Sequence, residues 1–192
     1  MFKDIISSCK PAITLLAFFI LLVGFLYPIT ITGLAQLFFS NAANGSLIQR
    51  DNKIIGSRLI GQSFTDPRYF WGRPSATTPL PYNGENSEGS NFGPSNPLLF
   101  KNIQDNLALL QADKNNKVPV DLVTASGSGL DPDISPFAAF YQIPRIAKAR
   151  SLSETTLKHL VQTMIQPRTL GILGEPRVNV LQLNLALDKE SL

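Results

Sequence analysis

The sequence contains very few of the residues that bind metal ions or carry out thiol chemistry. It has one cysteine, Cys9, and one histidine, His159, among 192 residues. A lone cysteine cannot form a disulfide within its own chain. Carboxylates are the only metal-ligating side chains left in number, so the sequence predicts no metal site.

Charged residues are also scarce, at 16% of the chain, and the formal net charge is only +3. Proteins that bind nucleic acids depend on many Lys and Arg contacts to phosphates. The low charge therefore argues against a nucleic-acid partner. No charged residue at all occurs from Pro11 through Gln49, and this absence points to a membrane.

The uncharged stretch contains a long apolar run from Ala12 to Phe39. A helix needs about 20 apolar residues to cross the hydrocarbon core, and this run is longer. It predicts a transmembrane helix over 12–39 after a short N-terminal segment, 1–11. A cleaved signal peptide fits less well, because its apolar core has only about 7–15 residues, although Ser40–Asn44 resembles a cleavage site. A lipoprotein also fits less well, because Cys9 precedes the apolar run.

Basic residues near the ends of the predicted helix indicate its orientation. Lys3 and Lys10 precede the apolar run, whereas the first basic residue after it is Arg50. Because cytoplasmic flanks carry the excess of Lys and Arg, we expect the N-terminus in the cytoplasm and residues 40–192 outside. The sequence thus predicts a cell-membrane protein with a single span and one extracytoplasmic domain.

Small and polar residues in the predicted span suggest packing against another helix. Thr32 and Gln36 lie one turn apart on the same face, with Gly33 beside them. Interhelical hydrogen bonds of such residues contribute about 0.6–2 kcal/mol each. We expect these residues to contact a partner helix; the alternative is a monomeric anchor whose polar residues lie at the outer membrane interface. Gly24 and Pro28 permit a kink.

The part outside the membrane begins with a predicted hairpin and a long irregular segment. Short β-branched runs surround the turn-forming pair Asp51–Asn52, which indicates a hairpin within Gly45–Phe64. Residues Asp66–Pro97 are dense in Pro, Gly, Asn and Ser, which support neither regular period. So long an irregular stretch is uncommon in a compact domain, and we expect it to be functional or mobile.

Caps and apolar periodicity predict several helices farther along the chain. Asn96 and Pro97 begin a helix over Leu98–Lys114, and Ser135 and Ser153 cap two more. The other predicted elements are a short strand or helix start at Val118–Thr124, a helix from Pro136 to Tyr141, a second helix from Pro144 to Arg150, a helix that ends before Pro167, and a C-terminal strand followed by a helical turn. Together they predict a transmembrane helix followed by one mixed α+β domain.

A Ser- and Gly-rich loop, Ser126–Asp133, is a candidate for a small-molecule site. Its backbone amides could bind an anion, but it contains no lysine, and Ser126 stands where a nucleophile elbow needs glycine. We favour a structural turn ahead of the cap at Ser135. A hydrolase is the alternative, and it would have to combine Ser128 with His159.

Aromatic and basic residues at the start of the irregular segment suggest a surface for another protein. These residue types are enriched at the centres of interfaces. The candidate outer interface consists of Arg68, Tyr69, Phe70, Trp71 and Arg73, together with Ser126, Ser128 and Asp131 from the loop. The alternative is that Phe70 and Trp71 pack in the core of the domain.

Several distinctive stretches occur in order along the chain, among them "TGLAQLFF", "GSRLIGQSF", "YFWGRPSAT", "GPSNP", "LVTASGSGLDP" and "LGEPRVNVLQLNLALD". Together they resemble the C subunits of the Kdp potassium-transporting ATPase of bacteria and archaea. The resemblance extends from the apolar helix to the last predicted strand. It implies a non-catalytic subunit of a P-type pump, in which a channel-like subunit carries potassium and another subunit hydrolyses ATP.

The resemblance also implies that the chain helps to assemble the pump and acts as a catalytic chaperone that raises the ATP affinity of the ATP-hydrolysing subunit. A glycine-rich stretch of the family, likened to a nucleotide-contacting signature, corresponds to Ser87, Gly89, Ser90 and Asn91. Glu88 departs from the family pattern, as do Asp133 and Phe140. The predicted topology places this stretch across the bilayer from cytoplasmic ATP, so we expect no cofactor on this chain, with ATP and K+ handled by the complex.

Overall fold

The computed structural model describes residues 2–111 and 116–190. The chain divides into two compact units, Met1–Leu47 and Ile48–Leu192. The first unit is helical, whereas the second combines helices with short strands. The predicted α+β architecture with one N-terminal apolar helix is confirmed.

The apolar helix of the first unit changes its winding in the middle. Helix α1, Phe2–Phe19, leads into π-helical turns over Ile20–Leu26, and α2, Tyr27–Phe38, follows. Pro28 lies at the start of α2 and has no N–H to donate to the carbonyl of Gly24, which accounts for the wider turns ahead of it. The residues expected to permit a kink thus lie in or next to π-helical turns.

The helical stretch Ser7–Phe38 is long enough and apolar enough to cross a membrane. Its most apolar window has a mean hydropathy of 2.5, and none of that window is buried inside the protein. A core helix of a soluble protein would be mostly covered by its own chain. A short helix, α3, Ser40–Ala43, follows it.

A β-hairpin follows the helical unit, as the sequence predicts. Strands β1, Leu47–Arg50, and β2, Lys53–Ser57, form a two-stranded sheet. The turn residues Asp51 and Asn52 both have left-handed backbone, with φ of 51° and 62°. Two successive residues in this conformation match the twist of the flanking strands, and Asp and Asn adopt it more readily than most residues do.

Three helices and a second two-stranded sheet surround the core of the second unit. Helix α5, Pro136–Arg150, packs on α6, Glu154–Met164, which packs on α7, Val180–Glu190. Strand β3, Asp133–Ile134, pairs antiparallel with β4, Val178–Asn179. The buried apolar side chains include Phe70, Ile134, Ile143, Ile146, Leu157, Val161, Val178, Leu183 and Leu187. Their removal from water is the main stabilising contribution to this unit.

The three predicted caps lie at helix starts. Asn96, Ser135 and Ser153 each accept a hydrogen bond from a backbone N–H of the first turn. Helix α4, Pro97–Leu109, begins where the sequence places it but ends earlier. The predicted end of that helix, Lys114, lies outside the described residues.

Two details of the predicted elements are wrong, namely a break between two helices near Pro144 and a strand as one alternative for Val118–Thr124. Helix α5 passes through Pro144 without a break, because Ile143 and Ile146 are fully buried on either side and their packing holds the helix together. The strand alternative for Val118–Thr124 is also wrong, since Val120–Leu122 forms a turn of 3-10 helix. At the C-terminus the predicted order of strand and helix is right, but β4 is shorter and α7 longer than expected.

Candidate functional site

The chain forms neither helix nor strand from residue 58 to residue 96, a range that contains nearly all of the irregular segment. Two buried side-chain amides hold the start of that segment. Asn184 of α7 accepts a hydrogen bond from the N–H of Phe70 at 2.8 Å and donates one to its carbonyl at 2.9 Å. Gln142 of α5 makes the same two bonds to Trp71, at 2.8 and 3.0 Å. Asn184 is 2% exposed and Gln142 1% exposed. Each amide thus makes the two backbone hydrogen bonds that a neighbouring strand would otherwise make with that residue.

Two arginines of α5 cover the same part of the segment. Arg145 donates to the carbonyls of Pro67 and Tyr69, at 2.6 and 3.1 Å, and its guanidinium stacks over the ring of Trp71 at 3.9 Å. Burial lowers the pKa of Arg145 to about 10. Arg150 stacks over the ring of Tyr69 at 4.6 Å. These cation–π contacts and hydrogen bonds fix the segment against α5.

The candidate outer interface contains both buried residues and residues that keep exposed surface. Phe70 lies fully buried in the core, and Ser126 is buried as well, so neither offers a surface to a partner. For Phe70 the core alternative is therefore correct, because its ring packs under the segment that the two amides hold. Tyr69 and Trp71 are half-buried, and Arg68 is exposed. These three residues keep surface that another protein could contact.

Two ion pairs involve the segment. The pair of Arg68 with Asp66 lies within it, and the other pair connects it to the Ser/Gly loop. Hydrogen bonds from Arg68 lower the pKa of Asp66 to about 2. Arg73 pairs with Asp131 of the loop at 3.2 Å. Among the described residues, Arg73 is also the only charged one that lines a cavity of about 270 Å³ beside Trp71. One cation that already pairs with a carboxylate is a weak basis for a ligand site.

The structure brings the predicted nucleotide stretch and the Ser/Gly loop into contact. The N–H of Glu88 and the hydroxyl of Ser87 both donate to the carbonyl of Ser128, at 2.9 and 3.1 Å. A Cβ on Gly89 would lie 2.7 Å from the carbonyl oxygen of Gly127, so glycine is what lets the two backbones approach. Polar groups of both stretches therefore bind one another.

Other polar groups of the loop are engaged within the domain as well. The N–H of Ser126 donates to the carbonyl of Pro74 at 3.3 Å, and the hydroxyl of Ser128 accepts from the N–H of Leu130 at 3.1 Å. The carboxylate of Glu88 accepts a hydrogen bond from Thr78 at 3.3 Å, and its charge would repel a phosphate. The geometry favours the structural turn over an anion-binding loop.

The rest of the predicted nucleotide stretch lies near α4. Ser90 lines a cavity of about 300 Å³ together with Leu99, Ile103 and the acidic Asp105. Asn91 is exposed and has left-handed backbone, with a φ of 53°. The carboxylate of Asp105 in this cavity would repel the phosphates of a nucleoside triphosphate.

The structure does not bring Ser128 and His159 together as a catalytic pair. His159 is exposed on α6, and Ser128 is exposed on its loop. In the described part of the chain, the hydrogen bonds of Ser128 involve Leu130, Ser87 and Glu88, and none involves His159. A serine nucleophile needs a base within hydrogen-bond reach.

The polar residues of the apolar helix differ in their surroundings. Gln36 and Asn44 exchange two side-chain hydrogen bonds, at 3.2 and 3.1 Å, and Asn44 also donates to the carbonyl of Ser40. The side-chain amide of Gln36 therefore already has hydrogen-bond partners within the first unit, near the end of α2. Thr32 is exposed, and a Cβ on Gly33 would meet nothing within 4 Å. Thr32 and Gly33 thus form an open face, whereas Gln36 would have to exchange its contacts with Asn44.

Two residues that organise this site, Gln142 and Asn184, are not among those predicted from the sequence. Each is a polar residue within an apolar helical run, "FAAFYQIPRIA" and "VLQLNLALD" respectively. A buried amide in such a run must have hydrogen-bond partners. A polar residue within an apolar helical run thus indicates a buried hydrogen-bonded amide, but it does not identify the groups that the amide binds.

Comparison with known proteins gives concordant matches over nearly the whole chain. The model of the family described as "K+-transporting ATPase, c chain" matches residues 9–189. The potassium-transporting ATPase KdpC subunit of Methylococcus capsulatus is 56% identical over 186 residues, which cover 95% of this chain and 98% of that protein. Subunits of the same name from Paraburkholderia phytofirmans and Methylobacterium nodulans are each 53% identical, over 94% and 96% of this chain and 95% and 98% of their own lengths.

Proposed function

The chain belongs to the family of the c chain of the K+-transporting ATPase, and we propose that it is the accessory, non-catalytic subunit of an ATP-driven potassium uptake pump. The observation that carries this proposal is the match over residues 9–189, which includes both the apolar helix and the α+β unit. The partners that we propose are a channel-like, potassium-translocating subunit, an ATP-hydrolysing subunit and any small membrane subunit. The chain assembles with these subunits and stabilises them.

The proposed topology has the N-terminus in the cytoplasm, a single span and the α+β unit outside the cell membrane. Support comes from the apolar helix Ser7–Phe38 and from Lys3 and Lys10, which precede the apolar run. The domain boundaries in this proposal are 1–11 for the cytoplasmic segment, 12–39 for the span and 40–192 for the outer domain. Thr32 and Gly33 provide the membrane contact with a partner helix.

We propose that any effect of the chain on ATP affinity, as a catalytic chaperone of the ATP-hydrolysing subunit, is exerted through contacts between subunits. The stretch Ser87–Asn91 does not contact ATP in this proposal. Its hydrogen bonds to Ser128 and the carboxylate of Glu88 support that view. The proposed topology does so as well, since it separates this stretch from cytoplasmic ATP by roughly 30 Å of hydrocarbon.

The experiment is to reconstitute the pump in proteoliposomes with and without this chain. The purified chain alone should show neither ATP hydrolysis nor potassium transport, while its omission should abolish potassium-stimulated ATP hydrolysis by the remaining subunits. A complex that carries both Ser128→Ala and His159→Ala should work normally, because neither residue is placed in a catalytic role. Turnover by the isolated chain, lost in that double variant, would instead establish the hydrolase.

A further inference from the structure

Helix α4 is packed less closely than the other long helices of the second unit. None of its residues is fully buried, whereas α5, α6 and α7 each contain at least three buried residues. Its apolar face, formed by Leu99, Ile103 and Leu107, is only half-buried. An amphipathic helix normally gains most of its stability by burying such a face. Packing therefore stabilises α4 less than it stabilises the other three helices.

Two cavities lie between α4 and the chain that it covers. One has a volume of about 300 Å³ and is lined by Ile103 of α4 and by Val123. The other has a volume of about 270 Å³ and is lined by Leu109 of α4 and by Leu122 and Trp71. Protein interiors contain few voids larger than a water molecule, which occupies about 30 Å³ in the liquid. Close packing between α4 and the chain that it covers is therefore incomplete.

Among the described residues, a single side-chain hydrogen bond connects α4 to the chain opposite it. The amide of Asn106 donates to the carbonyl of Val123 at 3.2 Å. The ion pair of Lys101 with Asp105 lies within the helix and adds nothing to its attachment. At the C-terminal end, Leu110 packs against the hydrophobic core. The attachment of α4 thus depends on one hydrogen bond, one anchored end and a half-buried apolar face.

We propose that α4 is a lid that opens and closes over the cavity lined by Trp71 and Leu122, while α5, α6 and α7 stay folded. Opening breaks the hydrogen bond of Asn106 and leaves Leu110 as the fixed end. It exposes the apolar face of α4 together with Leu122, which is only 4% exposed when the lid is closed. This property is independent of the proposed function and goes beyond it.

The opening of α4 requires less free energy than global unfolding, because no fully buried side chain of the helix takes part. A helix of 13 residues is marginally stable without packing, so α4 also unwinds when it opens. The domain therefore has a closed surface and an open one. A ligand or another subunit that binds the open surface would shift the population toward it.

Hydrogen exchange of the full-length chain in lipid nanodiscs tests the opening. Amides of α4 should exchange about tenfold faster than those of α5 and α6, because they exchange through the local opening. Urea below the unfolding transition should change the rates of α4 only slightly, since local opening exposes little surface. Equal protection of α4 and α5, with the same steep dependence on urea, would mean that α4 opens only when the whole domain unfolds, and would overturn the proposal.

Two substitutions on α4 form a matched pair. Asn106→Ala removes the hydrogen bond to Val123, whereas Asn102→Ala removes an exposed asparagine of the same helix. Both raise the helix propensity by the same amount, so a difference between them reports the hydrogen bond. We expect α4 to exchange about fivefold faster in Asn106→Ala than in Asn102→Ala, with α5 and α6 unchanged. Equal rates in the two variants, or faster exchange of all three helices, would contradict the lid.

Access to the covered cavity is measured with an introduced cysteine in a chain that also carries Cys9→Ser. Leu122→Cys reports the cavity, and Val161→Cys, fully buried on α6, is the control. A soluble thiol reagent should label Leu122→Cys about tenfold faster than Val161→Cys, and Asn106→Ala should accelerate only the former. If thermal unfolding shows that Leu122→Cys is not folded, Val123→Cys, at a position that is 8% exposed, replaces it. Equally slow labelling at the cavity and in the core would overturn the lid.

Discussion

Single buried amides determine how the irregular segment of this domain is held. Asn184 and Gln142 each bind both backbone groups of one residue, and these residues, Phe70 and Trp71, are adjacent in the chain. The cap at Ser135 could be predicted from sequence, because the groups it joins are a few positions apart. The amide contacts could not, since nothing local identifies the distant backbone that needs them.

We predict that Asn184→Leu destabilises the full-length chain by about 2–4 kcal/mol, because leucine of similar size leaves both backbone groups of Phe70 buried without partners. Trp71 is the only tryptophan and lies next to this contact, so its fluorescence during urea unfolding in detergent reports the loss. Asn102→Leu, an exposed asparagine on α4, is the control and should have little effect. Equal stability of the two variants would contradict a supporting role for Asn184.

The phenol of Tyr82 gives the domain a predictable response to alkaline pH. Its hydroxyl donates to the carbonyl of Arg73, and burial raises the pKa of Tyr82 to about 12 from an ordinary value of 10.0. Because the pKa of Tyr82 is higher in the folded chain than its ordinary value, the contribution of Tyr82 to the free energy of unfolding is complete below pH 10. This contribution is lost as the pH rises toward 12. Absorbance titrations of the wild-type chain and of Tyr82→Phe should differ by a component that ionises well above pH 10. If the component lost in the variant ionised near pH 10, the prediction would be wrong.

At the level of elements, the sequence predicts best those features whose causes are local. The hairpin at Asp51–Asn52 and the start of α4 follow from turn and cap residues within a few positions. The path of α5 through Pro144 depends instead on the burial of its apolar face against α6. Neighbours in space decide such cases, and a single sequence does not reveal them.

The contact between the Ser/Gly loop and the Ser87–Asn91 stretch leads to a paired prediction. A Cβ at Gly129 would lie 2.6 Å from the carbonyl oxygen of Glu88, and its φ is +69°, so Gly129→Ala should destabilise the chain by about 1–3 kcal/mol. Gly127→Ala, in the same loop, meets nothing within 4 Å and should change the free energy of unfolding by less than about 0.5 kcal/mol. Urea unfolding measures both. If Gly129→Ala were as stable as Gly127→Ala, the loop would not be packed as described.

At the level of the whole molecule, the burial of single side chains is harder to predict from sequence than the architecture. The residue type of Phe70 suits both an interface and a core, and the structure places it in the core. The exposure of Leu170, Ile172 and Leu173 could not be predicted either, because these residues show no helix or strand period. Exposure is a property of the folded chain, and composition alone does not determine it.

The topology of the chain can be tested with one introduced cysteine. Glu85 is exposed in the irregular segment, and Cys9→Ser removes the only native thiol. We predict that Glu85→Cys in this background reacts with a membrane-impermeant maleimide added outside intact cells, because the proposed topology places the segment beyond the outer leaflet. A cysteine restored at position 9 is the control and should react only after lysis. The reverse pattern would invert the chain and bring Ser87–Asn91 to the side where ATP is found.

If the second unit is exported, as we propose, the amide contacts also set the order of events during export. The bonds of Asn184 to Phe70 span 114 positions, and those of Gln142 to Trp71 span 71. The irregular segment would emerge early from the translocation machinery, while the helix that completes its hydrogen bonds emerges at the very end. Closing such distant contacts is slow, and the waiting segment exposes Phe70 to proteases and chaperones. In the proposed topology, release of α7 is therefore the step that commits the domain to its final fold.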